Sequence, residues 1–358
     1  MQVTGSAGTA TASSAAFPLT VTSGEKLGLT LDVNIQNAIT ASGQTISAVN
    51  LAAPNVLTAT VIQAPSSATD LSSGQLAHID DLYGVVSNVS SSAQSFTLQT
   101  AYRGAVSVTA NSSTTYDPVC STQSFSCVSA GAIAAVDAIL NADGTLTARN
   151  YSPVPFTATS KDTIEGVVTA PPSSVNQVFN IAVTDASFAT SNSLLSGSIR
   201  PGDLVGVGVL TPQPFFVVSE GLTIPAHSFS GATDVSPIQP GQTVAISLFG
   251  FAAANGSRGA IATANGVALR FSRVTGTIVN ATSPQFSATD FPPYFGFTTN
   301  PLVQITTTGP GTTTDFDGTS NFAEAAGDTV SISGLFFGST TSPSPPAWSF
   351  SAATIRRH

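Results

Sequence analysis

The sequence predicts an all-β protein, built of tandem small β-barrel or β-sandwich domains with essentially no helix. Three observations carry this. First, a turn-and-strand phrase recurs along the chain. Its fullest copy is Pro237-Ile238-Gln239-Pro240-Gly241-Gln242-Thr243-Val244-Ala245-Ile246-Ser247-Leu248-Phe249. Second, apolar and polar residues alternate with period two, most clearly at Leu27, Leu29, Leu31, Val33 and Ile35, the signature of a half-buried strand. Third, no stretch sustains a helical period between capping residues, and short strands punctuated by Gly, Pro and Asn turns belong to sandwiches and barrels.

The phrase is repeated at Arg200-Pro201-Gly202-Asp203-Leu204, at Ala325-Ala326-Gly327-Asp328-Thr329, more weakly at Ser129-Ala130-Gly131-Ala132, and near the start at Thr22-Ser23-Gly24-Glu25-Lys26. Glycine supplies the turn, the polar residue after it is expected to face water, and the next residues enter the pleat. A second repeated feature opens each unit. Tyr83-Gly84-Val85-Val86 is answered by Phe96-Thr97-Leu98, Ile164-Glu165-Gly166-Val167 by Phe179-Asn180-Ile181, and Val274-Thr275-Gly276-Thr277 by Phe286. Each pair reads as a hairpin. The Asp143-Gly144 step reads as a tight turn in the first unit. The resulting division is an N-terminal arm and β segment over residues 1–65, then barrel units over 78–155, 161–272 (enlarged by an insert around Phe215-Phe216) and 273–358.

Composition limits the function classes. Charged residues make up 8% of the 358 and the net charge is −9. An acidic, charge-poor chain lacks the clustered basic surface that nucleic acid requires. Arg270 with Arg273 and Arg356 with Arg357 are the basic clusters, and they read as solvated strand ends and a solvated tail. Ser and Thr make up about a quarter of the chain. Although the mean hydropathy is positive, no window approaches the ~18 consecutive apolar residues of a bilayer span. The two cysteines, Cys120 and Cys127, lie in a Pro/Ser/Thr-rich loop. An even count in such a chain favours a disulfide over two free thiols, and with it an oxidising compartment. The first residues carry no basic stretch followed by an apolar one, so a secreted protein would be represented by its mature chain.

Chemistry-bearing motifs are sparse. His78, His227 and His358 share no spacing, and no Gly-x-Ser-x-Gly elbow is present. Asp315, Asp317 and Glu324, like Asn141 and Asp143, lack the alternating oxygen ligands of a calcium loop and read as turn residues. The expectation is therefore no enzyme, no cofactor and no metal. Five Asn-x-Ser/Thr sequons match chance for this composition. Aromatics cluster at Phe215-Phe216, Phe249 with Phe251, Phe291 to Phe295, and Phe336-Phe337, with Trp348 beyond. Adjacent residues of a strand face opposite ways, so one of each pair is expected to point outward as a contact surface.

Taken together, the Gly-hydrophobic-Val openings, the Phe-x-Leu return, Thr115-Tyr116-Asp117, Asp315-Phe316-Asp317-Gly318, and Asp143 to Ala148 resemble a bacterial domain of unknown function. Such domains occur in tandem in exported proteins and lipoproteins, and have a small barrel like that of oligonucleotide- and oligosaccharide-binding folds. The N-terminal strands are similar to the end of a second β-rich domain found upstream of them. The resemblance implies fold and export and transfers no catalytic residues; the lipid-acceptor cysteine of many such proteins is absent.

The functional expectation is a structural subunit of an extracellular filament or surface layer, joined to copies of itself by β-strand addition and apolar contacts. The alternative is a secreted glycan-binding or adhesion module. The candidate assembly contacts are Phe17, Leu19 and Val21 in the arm, together with Phe215, Phe216, Phe291, Tyr294, Phe336, Phe337 and Trp348.

Overall fold

A computed structural model describes residues 27–33, 38–42, 45–50, 56–63, 78–101, 103–141, 145–156, 162–173, 176–187, 199–210, 215–222, 229–232, 234–255, 259–282, 285–291, 302–305, 325–337 and 349–357, with positions 195, 224 and 314. The regular structure of these residues is almost entirely strand. At the N-terminal end, β1 (Leu27–Val33) pairs antiparallel with β4 (Leu57–Gln63), and β2 (Ile39–Ser42) pairs with β3 (Thr45–Val49).

Three larger sheets follow, and all use one strand order. The first contains β5 (His78–Ser90), β6 (Ser95–Thr100), β7 (Gly104–Thr109), β8 (Thr115–Tyr116), β9 (Ile133–Leu140) and β10 (Leu146–Pro153). Its order is β7-β6-β5-β9-β10-β8, and a parallel pairing of β7 with β10 joins the ends of the five longer strands. The second contains β11 (Thr163–Ser173), β12 (Val178–Ser187), β13 (Leu204–Val209), β14 (Phe215–Val217), β15 (Thr243–Ala252) and β16 (Ala260–Arg270), with the same order and the same closing parallel pair, β13 with β16. The third is a closed barrel of β17 (Ser272–Thr282), β18 (Gln285–Thr289), β19 (Leu302–Ile305), β21 (Ser349–Arg357) and β20 (Thr329–Phe337). Closing a small sheet on itself removes the edges at which strands of other chains would pair.

The recurring phrase builds one turn four times. Gly131, Gly202, Gly241 and Gly327 sit at φ +84, +93, +92 and +93°, a region that side chains rarely enter. Their N–H groups donate to the carbonyls of Val86, Val183, Val168 and Ile278, each at 2.8 Å. The turn therefore clips its strand to a neighbouring strand of the same barrel. The polar residue after glycine faces water at Asp203 but not at Gln242, and in three copies it braces the turn. Asp203, Gln242 and Asp328 reach back across the turn to accept the N–H of Arg200, Gln239 and Ala325 at 2.7, 2.8 and 2.7 Å. Gln242 is buried, and its amide also donates to the Phe336 carbonyl of the third barrel at 3.1 Å.

The glycines that open the three units mark a close crossing. A Cβ on Gly166 or Gly276 would lie 2.6 Å from the Ala182 carbonyl oxygen or 2.8 Å from that of Thr289, and one on Gly84 would collide with the Gln99 carbonyl. Each long first strand can bend across its partner only where no side chain intervenes.

Each barrel has its own core. Phe96, Leu98, Val136 and Tyr151 fill the first; Ile164, Phe179, Ile181, Val244 and Ile246 fill the second; Ile278, Phe286, Ile332 and Phe350 fill the third. A fourth apolar cluster lies between barrels, joining Tyr83, Ile133, Ala135 and Val154 of the first to Val218, Ala245 and Ala268 of the second. Strands at such contacts lose their alternation. Six consecutive residues of β15, Thr243 to Leu248, are buried, as expected for a strand covered on both faces.

Candidate functional site at the junction of the barrels

Arg270 ends β16 and is 1% exposed. The guanidinium is met by carboxylates from two barrels. Its Nη2 lies 2.7 Å from Asp81 Oδ1 in β5 and 3.7 Å from Glu220 Oε1 in the segment after β14, and its Nε donates to Glu165 Oε2 in β11 at 3.3 Å. Arg273, at the start of β17, brings the third barrel to the same place, with Nη1 3.5 Å from Asp81 Oδ2.

Local backbone distortion delivers these groups. Asp81 and Glu220 have φ values of +59 and +50°, which non-glycine residues hold only when the surroundings compel it. Here other carboxylates supply the compulsion. The Asp81 N–H donates to Asp137 Oδ1 at 2.7 Å, and the Glu220 N–H donates to Asp117 Oδ2 at 2.6 Å. The β5–β9 register shifts between Ile79 and Leu82, and the β11–β12 register shifts between Glu165 and Gly166, so both acidic residues sit at irregularities of their strands. Tyr83 reinforces the contact, its hydroxyl 2.7 Å from Thr163 Oγ1 of the second barrel.

The electrostatics follow from burial. Desolvation, with repulsion from Asp81, pushes the Glu165 carboxyl up to about 8 despite Arg270. Burial, then Asp137, raises Glu220 well above the ordinary range. Asp81 is also desolvated, but Arg270 and Arg273 outweigh that and hold it below its usual value. Burial lifts Asp185 to about 6. Near neutral pH the junction therefore sets ionised Asp81 against Arg270 and Arg273, with Glu165 protonated. A cleft of about 330 Å³ opens beside the cluster and is reached by Asp81, Glu220 and Arg273. Among the described residues, no group of three His, Cys, Asp or Glu side chains is placed to hold a metal ion.

The sequence-predicted contacts are distributed differently. Cys120 and Cys127 form a disulfide, and Cys120 lies in the core of the first barrel. The outward pointing expected of one residue in each aromatic pair does not hold. Phe336 is buried in the third barrel, stacked 4.8 Å from Phe350, while Phe337 turns the other way and is buried in the core of the second. Phe215 packs on Phe229 in the second core, and half-buried Phe216 meets Phe156 in the cluster between the first two barrels. Phe291 is buried against Phe350. The faces do alternate, but the outer face of one barrel is covered by the next. Among the described residues Phe249 is the aromatic that remains outward, 68% exposed. Phe17, Leu19, Val21, Tyr294 and Trp348 lie outside the described residues, as do Asp143, Asp315, Asp317 and Glu324.

The reading of Arg270 as a solvated strand end is corrected: it is the most deeply committed charge of the junction, whereas the Arg273 side chain is 46% exposed. The signal was an isolated Glu165 within an apolar opening strand of a charge-poor chain, since a lone acid there requires a buried partner.

A second place of interest is the β1–β4 sheet. It holds seven facing residue pairs, and among the described residues neither strand has a partner on its outer edge. Two-stranded sheets are marginal on their own in water.

Residues 83–150 match the family model of a domain of unknown function, DUF5666. The match falls within the first barrel. No curated protein matches the chain.

Proposed function

We propose that the chain is a structural subunit of an extracellular polymer or surface layer, joined copy to copy by strand addition. The observation that supports this is the β1–β4 sheet, seven residue pairs long and two strands wide. The five long strands of each large sheet close on themselves, so among the described residues β1 and β4 are the longest strands with an open edge, the β2–β3 pair and the short β8 and β14 being the others. An added strand would supply main-chain hydrogen bonds along seven residues.

The donor is the N-terminal arm of a neighbouring copy, residues 2–21. That segment has no charged residue and one proline, and its small Ala, Thr, Ser and Gly side chains suit close apposition, with Phe17, Leu19 and Val21 as anchors. Donation from one copy to the next is head-to-tail and propagates into a filament unless the rotation closes. The three barrels, tied at Arg270 and through shared cores, act as the stiff body between joints. The disulfide and the export implied by related domains agree with an extracellular location, and no reaction is required of the chain. Negative-stain electron microscopy of the purified protein is the test. Ordered fibres or sheets are expected, and monodisperse single particles at high concentration would contradict the proposal.

A further inference from the structure

The cleft beside Arg270 has a lining suited to a small ligand, and all three barrels build it. The first contributes Asn111, Asp137, Ile139 and Arg149; the segment after β14 contributes Glu220 and Leu222; and the third contributes Arg273, Ser333 and Thr354. Its volume of about 330 Å³ lies at the lower end of the ~300–1,000 Å³ of small-molecule sites, which favour interfaces of this kind.

Charge narrows the ligand class. Asp81 and Asp137 face the cleft against Arg149 and Arg273, two anions to two cations. Glu220, the third acid of the lining, is 9% exposed and turned inward to Arg270 at 3.7 Å, so its charge is met from within the junction. A balanced lining favours neither an anion such as a phosphate nor a cation. It is nonetheless rich in donors and acceptors, with amides, hydroxyls, carboxylates and guanidiniums in one concavity. Phe271, Leu222 and Ile139 add an apolar side. A small neutral molecule matching both features carries many hydroxyls around an apolar ring face.

We propose that this junction cleft binds a short neutral saccharide. Hydroxyls of the sugar bond to the polar groups of the first and third barrels, and its C–H face rests on Phe271 and Leu222. The site exists only while the three barrels keep their present arrangement, so Arg270 positions it without touching the ligand. This inference does not depend on the polymer reading: a subunit that forms no fibres can still bind the sugar, and fibres can form without it.

The test uses the intact chain and a panel of neutral and of sulfated oligosaccharides, read by saturation-transfer NMR and titration calorimetry. At least one neutral member is expected to bind, with little dependence on salt. Ala353→Trp places a large side chain in the cleft from the outer face of β21 and is expected to weaken binding by about tenfold or more without shifting the melting temperature. Hydrogen exchange of the unaltered protein gives a reading independent of any variant, with added sugar expected to slow exchange over residues 111–115 and 147–150. Absence of binding by every neutral member, binding confined to sulfated members, or binding that leaves those segments unprotected would each overturn the inference.

Discussion

Arg270 and Asp81 are 189 residues apart in sequence and 2.7 Å apart in space, the last residue of the second barrel held by the opening strand of the first. Glu165 and Glu220 are the other carboxylates around that one guanidinium, whose Nη1 is buried with no hydrogen-bond partner among the described residues. Replacing Arg270 by Met keeps the side chain's length and removes its charge, leaving ionised Asp81 with the half-exposed Arg273 alone and stripping Glu165 of its buried partner. Breaking a buried pair from one side costs about 3–5 kcal/mol. Arg270→Met is therefore expected to lower stability by ~3–5 kcal/mol in chemical denaturation, whereas Arg273→Met, at a largely exposed side chain, is expected to change it by about 1 kcal/mol or less.

The junction also fixes the direction of the pH dependence. Glu165 rises from 4.5 to about 8 in the folded chain. Between those values the folded state holds a proton that the unfolded state has released, so stability falls as pH rises through that window. Asp185, raised from 3.8 to about 6, acts in the same direction over its own interval. Asp81 acts oppositely: its lowered carboxyl contributes stability above 3.8 that is lost on strong acidification. Urea midpoints are expected to decline from pH 5 to 8, with a slope of at most ~1.4 kcal/mol per unit for each proton. Glu165→Gln should flatten this decline. An unchanged slope in that variant would remove Glu165 from the account.

Gly166 and Gly276 allow the opening strands to cross their partners, where an added Cβ would stand 2.6 and 2.8 Å from a carbonyl oxygen. Backbone cannot yield as a flexible side chain does. Gly166→Ala and Gly276→Ala are each expected to destabilise by about 1–3 kcal/mol. Gly206→Ala, whose Cβ would meet its nearest atom at 3.5 Å, is expected to be close to neutral. Thermal melts of the three variants check the contrast.

The Cys120–Cys127 bond closes a loop with a sequence separation of 7. Closing so short a loop removes only modest entropy from the unfolded chain, and the chain-entropy relation gives about 2–3 kcal/mol for it. The double Cys→Ser variant is expected to lose about that much in reductant-free denaturation, and the intact protein to lose the same on reduction.

The strands, the hairpin pairs and the glycine turns were legible because they depend on local rules. Alternation selects a face, and Gly at φ near +90° needs no tertiary contact. The disulfide was legible from cysteine count and loop composition. The fate of the second face was not. Phe336 and Phe337 point opposite ways as alternation requires, but nothing local says that the outer face of β20 meets the core of the preceding barrel. Arg270 was misread for the same reason, since its partner Asp81 lies in another barrel. Residues such as Glu165 carried a usable hint, because an isolated acid in an apolar strand must be compensated.

The proposed joint between copies pairs the N-terminal arm with the β1–β4 edge. Removal of residues 1–16, followed by electron microscopy beside the intact chain, tests it. Filaments or layers are expected from the intact chain and separate particles from the truncated one, with unchanged circular dichroism and binding of a synthetic peptide of residues 2–21 to the truncated protein. Filaments of normal length from the truncated chain would contradict this joint.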